Sequence, residues 1–202
     1  MYNDRPLREY LDDLAARKPA PGGGSAAALS AAVGAGLMSM VANYTLGNPN
    51  YKESEARATD ILKKAEKCRA ELQELVDKDA EAYGKLSAGI KSLGKDSPGL
   101  DALYKDALKV PFQICMVASF MLGLCKDLAE CGNKNLVTDT AIAAILIEGA
   151  FFSAKYNVYI NLKYVKDIDY VGEIHKMLSP LEESMPKLKE EILEMCEDAI
   201  SK

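Results

Sequence analysis

Histidine is nearly absent from this chain, which has a single one, His175, in 202 residues. A Ser-His-Asp or Cys-His site could use only that residue, and a zinc site built from several histidines is impossible. His175 stands in a polar stretch near the C-terminus, which predicts a surface position. Acid–base chemistry is therefore expected to depend on carboxylates, lysines or tyrosines.

Cysteine patterns typical of zinc or redox sites are also missing. The five cysteines include no C-x-x-C pair, which favours free thiols in a reducing compartment. The charged, helix-like N-terminus contains no signal peptide, so we expect a cytoplasmic protein. The net charge of −5 argues against a nucleic-acid partner, although a local basic pocket for a small anion stays possible.

Alternating strand patterns are absent, whereas helical periodicity runs along the whole sequence. This predicts an all-α fold, a bundle of five to six helices, some of them long, in a single domain of residues 1–202. We expect Pro111 to kink or split the fourth helix, and Pro180 and Pro186 to interrupt the last one. The predicted helices cover residues 5–17, 25–46, 51–93, 100–130, 137–166 and 170–201.

The second predicted helix, residues 25–46, contains no charged residue and should be buried on nearly all sides. Its length would allow it to cross a membrane. Because alanine, glycine and serine dominate it and its neighbours are strongly charged, a closely packed central helix is the favoured interpretation. So uncharged a helix in a small bundle also predicts a dimer whose interface completes the core.

A glycine-rich loop precedes this helix, with the sequence Pro19-Ala-Pro-Gly-Gly-Gly-Ser25 followed by three alanines. Ser25 is a good N-cap, and alanine is the best helix former. The segment predicts a tight loop that presents backbone N–H groups at a helix N-terminus, where an anionic or strongly accepting ligand group binds well. An ordinary glycine-rich connector is the alternative.

Asp79 is the most unusual carboxylate, because it falls within the apolar stripe of the third helix, four residues from both Leu75 and Tyr83. Burial would raise its pKa and make it suitable as a general acid or base near neutral pH. The alternative is a structural aspartate bonded to a lysine or to the backbone. The neighbouring Asp77 and Glu81 are predicted to lie on the exposed face.

A second set of polar residues lies in the turn before the fifth helix and along one face of that helix. The turn before it, Gly132-Asn-Lys-Asn135, resembles the first loop in placing small polar residues at a helix start. Asp139, Asn157 and Asn161 project onto one helical stripe, since 18 residues make five turns. A carboxylate and two amides suit a heterocycle rich in donors and acceptors, while helix capping and a subunit interface are the alternatives. Lys155 and Lys163 could reach toward an anionic substrate tail.

Taken together, these segments resemble the family of formiminotetrahydrofolate cyclodeaminases and methenyltetrahydrofolate cyclohydrolases. The resemblance covers residues 7–165, and no formiminotransferase portion accompanies it, as in a stand-alone form. It is carried by Pro19-x-Pro-Gly-Gly-Gly-Ser25, Asp79-Ala-x-Ala-Tyr83, Val110-Pro111, Gly132-Asn-Lys-Asn135, Thr138-Asp139 and Asn157-Val-x-Ile-Asn-Leu162.

The resemblance implies a helical homodimer that acts on a tetrahydrofolate derivative, with or without a polyglutamate tail, and needs no metal or further cofactor. It implies Asp79 as the catalytic residue. Both family reactions stay open, as does a non-catalytic folate-binding or dimerisation module; neither nucleic acid nor membrane is an expected partner. The implied substrate-binding residues are Pro21, Gly22, Gly23, Gly24, Ser25, Tyr83, Asn133, Asn135, Asp139, Asn157 and Asn161.

Overall fold

A computed structural model describes residues 1–94 and 97–201, and within these residues the secondary structure is helical with no strand. The predicted all-α class is confirmed. The α-helices are α1 (Leu7–Ala15), α2 (Gly23–Thr45), α3 (Glu55–Leu93), α4 (Leu100–Cys131), α5 (Val137–Leu162) and α6 (Ile168–Ile200). Short 3-10 helices span Tyr2–Asp4, Pro49–Ser54 and Lys134–Leu136.

Helix α2 lies at the centre of the bundle and packs mainly against α3 and α5. Small residues allow this close packing: a Cβ on Gly34 would lie 2.8 Å from Cγ1 of Ile147 on α5. The predicted burial is confirmed for most of this helix, since 13 of its 23 residues are buried, whereas Val33 and Tyr44 are 50% and 63% exposed. One face of α2 is therefore apolar and open within the single chain.

The hydrophobic core forms where α2, α3, α4 and α5 meet, and α6 covers it from the side of α4 and α5. All five cysteines are buried free thiols, as predicted. The largest fully buried side chains include Met38, Leu72, Leu75, Leu108, Met121, Leu128, Ile147, Phe151 and Leu178.

Prolines do not break the helices as expected. Helix α4 continues through Pro111, and α6 continues through Pro180 and Pro186, so the predicted interruptions of α6 are wrong. Buried side chains on either side, such as Leu178 and Met185 in α6, fasten both halves to the core. This tertiary packing outweighs the hydrogen bond that each proline removes.

One helix start also differs from expectation. Helix α2 begins at Gly23 with Gly22 as its N-cap, so Ser25 lies in the first turn rather than at the cap. Gly99 precedes α4, and its N–H donates to the Ser97 hydroxyl. The segment between the third and fourth predicted helices contains Lys95 and Asp96, which lie outside the described residues.

Three helical segments are long and apolar enough, by length and composition alone, to cross a membrane: Gly23–Thr45, Leu100–Cys131 and Lys134–Leu162. In the bundle 61%, 50% and 39% of their most apolar windows are buried. The third segment therefore has the smallest buried share of the three.

Candidate active site

One end of the bundle contains a cavity of about 640 Å³. It lies between the start of α2, the second half of α3, the first turns of α4 and the end of α5. This volume lies within the usual range for small-molecule sites. The predicted site residues among its walls are Gly22, Gly23, Asp79, Tyr83, Asn157 and Asn161.

Asp79 forms the inner wall of the cavity. Its Oδ2 accepts a hydrogen bond of 2.9 Å from the backbone N–H of Ser25, in the first turn of α2. Burial raises the pKa of the Asp79 carboxyl above its ordinary value, and the Ser25 N–H lowers this pKa only in part. Asp79 is thus a desolvated carboxyl beside a cavity, as general acid–base catalysis requires.

The glycine loop fits tightly around this carboxyl. A Cβ built on Gly24 would lie 2.1 Å from Oδ1 of Asp79 and 2.6 Å from its Cγ. No side chain fits in that space, so the carboxyl and the start of α2 can meet only because residue 24 is glycine. Gly24 and Ser25 are themselves buried behind the cavity wall, as is Pro21.

Two amides from the end of α5 face the glycine loop. Asn157 lies beside Gly23, where a Cβ would be 3.4 Å from Nδ2. The Asn157 and Asn161 amides each donate one bond to the carbonyl four residues earlier, at 3.0 and 2.9 Å. An amide also has an acceptor oxygen and a second N–H, which suits the mixed donor and acceptor edge of a heterocycle.

The mouth of the cavity is aromatic. Tyr83 is 48% exposed and stands one helical turn beyond Asp79. Tyr104 of α4 and Tyr164, just after α5, stack with ring centroids 4.9 Å apart and planes at 18°. The sequence interpretation missed this pair. Tyr164 follows Asn161 by three residues, which was a usable signal, whereas nothing near Tyr104 marks it.

Asn133, Asn135 and Asp139 are not part of this cavity. They lie at the other end of α5, about 27 Å away for Asp139 to Asn157 at 1.5 Å per residue. Asn133 donates from its amide to the Tyr44 carbonyl and from its backbone to the Thr45 hydroxyl. The two polar loops of one protomer therefore do not meet.

The two predicted lysines also stand away from the cavity. Lys155 pairs with Glu182 of α6, and Lys163 lines a separate hollow with His175. His175 is exposed, as predicted. Within residues 1–94 and 97–201, no cluster of three or more histidine, cysteine or carboxylate side chains is placed to hold a metal ion.

Several known proteins are similar in sequence to this chain. Residues 6–180 match the family described as formiminotransferase-cyclodeaminase. A methenyltetrahydrofolate cyclohydrolase from Methylorubrum extorquens is 33% identical over 100% of both chains. The formimidoyltransferase-cyclodeaminase of Mus musculus is 33% identical over 88% of this chain, which spans only 34% of that longer protein.

The fold agrees with the sequence match. The crystal structure of formiminotetrahydrofolate cyclodeaminase from Thermotoga maritima superposes with a TM-score of 0.93, at 33% identity, over 99% of this chain and 100% of the other. The cavity, the buried aspartate and these full-length similarities lead to one conclusion. The chain belongs to the formiminotransferase-cyclodeaminase family.

Proposed function

We propose that this protein converts 5-formiminotetrahydrofolate to 5,10-methenyltetrahydrofolate and ammonia, with Asp79 as the acid–base residue. That the chain is a folate one-carbon enzyme, either cyclodeaminase or cyclohydrolase, follows from its family and relatives. The observation that carries the assignment of Asp79 is its carboxyl at the cavity wall, with a raised pKa and a single backbone donor.

The proposed reaction needs two proton transfers. N10 of the folate attacks the formimino carbon carried by N5, which forms a tetrahedral centre. The ionised Asp79 takes the proton from N10, and the resulting acid gives it to the amine that leaves as ammonia. A carboxyl whose pKa lies above its ordinary value is suited to hold the proton between these steps. Neither step changes an oxidation state, so we propose no cofactor beyond the folate itself.

The remaining walls would hold the folate in place. We propose that backbone groups of Gly22 and Gly23 and the amides of Asn157 and Asn161 bind the edge of the pterin, and that Tyr83 covers it. Holding N10 and the one-carbon unit in contact supplies much of the catalysis in an intramolecular ring closure. Pro21, Gly24 and Ser25 shape the loop from behind.

Methenyltetrahydrofolate cyclohydrolase is the second candidate. It is favoured by the Methylorubrum extorquens relative of that name, which matches this chain over the full length of both proteins. In that reaction water adds to the methenyl carbon and the bond to N5 breaks. The same carboxyl would take a proton from water and return one to N5.

We also propose that the protein works as a homodimer through the outer face of α2 and α5. Val33 and Tyr44 on α2 and Ile142 and Ile145 on α5 leave apolar surface exposed, and α2 has no charge to solvate it. A second copy of the same face is the matching partner, because a twofold axis pairs a patch with itself. Val33→Glu should then give a monomer in analytical ultracentrifugation.

A dimer of this kind would give a role to the predicted site residues at the start of α5, which lie far from the cavity of their own protomer. If α5 crosses its copy in antiparallel fashion, the segment from Asn133 through Asn135 to Asp139 of one protomer approaches the cavity of the other. We propose that these residues complete the folate site from there. The whole unit, residues 1–202, would then act as one cytoplasmic domain, without nucleic acid or membrane.

The test is absorbance spectroscopy of the purified protein with each of the two substrates. Formation of methenyltetrahydrofolate and ammonia from 5-formiminotetrahydrofolate supports the cyclodeaminase. Consumption of added methenyltetrahydrofolate above the uncatalysed rate, without the first reaction, supports the cyclohydrolase. Folate binding without either reaction would contradict both and leave a binding module.

A further inference from the structure

Tyr10 is the only residue of α1 that the fold buries. It is 4% exposed, while Leu7, Leu11 and Leu14 on the same short helix stay open to solvent. Its hydroxyl lies 3.3 Å from Oγ of Ser25, which is fully buried. Because both hydroxyls are buried away from water, each would lack a hydrogen-bond partner without the other.

Ser25 connects Tyr10 to the proposed catalytic carboxyl. Its side chain contacts Tyr10, while its backbone N–H donates to Oδ2 of Asp79 at 2.9 Å. The tight fit of Gly24 against Oδ1 leaves the carboxyl little freedom on that side. The position of the Ser25 N–H therefore decides whether Asp79 keeps its hydrogen bond.

Tyr10 is also connected, through Tyr2, to α3, the helix that contains Asp79. The Tyr2 ring meets the Tyr10 ring edge-on, with centroids 5.3 Å apart and planes at 88°. The Tyr2 backbone N–H donates to Oδ1 of Asp77 at 2.5 Å. The contacts thus form a closed circuit from Asp77 through Tyr2, Tyr10 and Ser25 back to Asp79, two residues along α3.

We propose that Tyr10 is a positioning residue for Asp79, acting through the Ser25 hydroxyl to hold the Ser25 N–H against the carboxyl. The proposal rests on the proposed function, in which Asp79 transfers the protons. Tyr10 itself does not line the cavity, whereas Asp79 does. In this proposal Tyr10 fixes the direction and the proton affinity of the Asp79 carboxyl.

The pKa of Asp79 is a suitable measure of the contact with Ser25, because few groups influence this pKa. Burial and the Ser25 N–H are the two influences on its pKa, with no contribution from a lysine or arginine among the described residues. The other polar side chains along the described cavity walls are the hydroxyls of Tyr83 on α3, Tyr104 on α4 and Tyr164 after α5, and the amides of Asn157 and Asn161 on α5; no lysine, arginine or second carboxylate lines these walls.

The test is Tyr10→Phe, which removes one hydroxyl and keeps the buried ring. We expect kcat to fall about tenfold with KM nearly unchanged, because a loosened Asp79 is misplaced for proton transfer while the folate walls remain. The Ser25 N–H stabilises the ionised carboxyl, so its loss should raise the pKa of Asp79. The acidic limb of kcat/KM should then move to higher pH.

Tyr159→Phe is the matched control, since the Tyr159 hydroxyl bonds Glu182 of α6 and lies outside the cavity. It should leave the acidic limb in place. If Tyr10→Phe lowers the melting temperature but has the wild-type kcat and pH profile, its role is structural only and the proposal is wrong.

A second measurement separates this proposal from the proposed function. Carbon-13 NMR of labelled aspartate carboxyls can follow the titration of Asp79, with Asp79→Asn to assign the signal. A higher pKa in Tyr10→Phe supports the positioning role even if the wild type turns over neither folate. An unchanged pKa contradicts it, whatever the activity.

Discussion

Two carboxylates stand two residues apart on α3 and have opposite surroundings. Asp77, 5% exposed, accepts the backbone N–H groups of Tyr2 and Asn3 at 2.5 and 3.4 Å. Asp79 accepts the single N–H of Ser25 and borders a cavity of about 640 Å³. The first is held by the fold on both oxygens, whereas the second keeps capacity for a substrate proton. The comparison teaches that burial alone does not mark a catalytic carboxylate.

The strongest test of the comparison is Asp79→Asn. The amide keeps an oxygen for the Ser25 N–H but cannot transfer protons, so we expect turnover to fall 10²–10⁴-fold, the usual range for general acid–base residues. Circular dichroism should show an unchanged helix content. A fully active Asp79→Asn enzyme would remove Asp79 from the mechanism.

Gly24→Ala tests whether the tight fit around Asp79 matters. The added Cβ would stand 2.1 Å from Oδ1, so the carboxyl or the start of α2 must shift. We expect kcat to fall about 10²-fold, because misplacing a reacting group by about 1 Å has effects of that size. The measurement is steady-state kinetics with the substrate that the wild type accepts.

Gly123→Ala is the control for this change. Gly123 lies in α4, and a Cβ there would meet nothing within 4 Å. It should leave kcat unchanged and increase stability slightly, since alanine favours the helix. Equal activity losses in Gly24→Ala and Gly123→Ala would mean that the contact with Asp79 is irrelevant.

Asp77→Ala should show the opposite pattern to Asp79→Asn. It leaves the N–H groups of Tyr2 and Asn3 without their acceptor, which costs about 1–3 kcal/mol of unfolding free energy. The loss of kcat should stay below about threefold, since Tyr10 keeps its own bond to Ser25. Urea denaturation measures the loss of unfolding free energy. A loss of kcat as large as that of Asp79→Asn would contradict the difference in role between the two aspartates.

The two aspartates also show how much of the burial of a helix can be predicted from its sequence. The apolar stripe from Leu72 to Leu86 placed Asp79 on the inward side of α3, where it is half-buried at the cavity wall, because helical periodicity is a local property. The prediction that Asp77 is exposed is wrong, since Tyr2 and Asn3 fold across α3 from about 75 residues away. Periodicity contains no information about such a contact.

The same limit applies to the site. Its glycine loop, Asp79 and the two amides of α5 were found from local patterns, and the cavity brings them together. Tyr10 was read only as part of a short helix, because its partner Ser25 is reached through the turn between α1 and α2. The continuous course of α6 through Pro180 and Pro186 shows the same dominance of tertiary packing over local preference.

The smallest effect expected is on the pH dependence of stability. The folded-state pKa of Asp79 is raised by burial, so the folded protein binds this proton more tightly than the unfolded chain does. The wild type therefore loses stability as pH rises from the ordinary aspartate value of 3.8 through the raised pKa. The Asp79→Asn variant has no carboxyl at this position and therefore keeps its stability over the same pH range. At pH 7 its melting temperature should be roughly 2–4 °C above that of the wild type, which corresponds to about 1 kcal/mol in a protein of this size. Below pH 3.8 the advantage should vanish, because the carboxyl is then neutral in both states; an equal advantage at both pH values would show that the gain comes from packing instead.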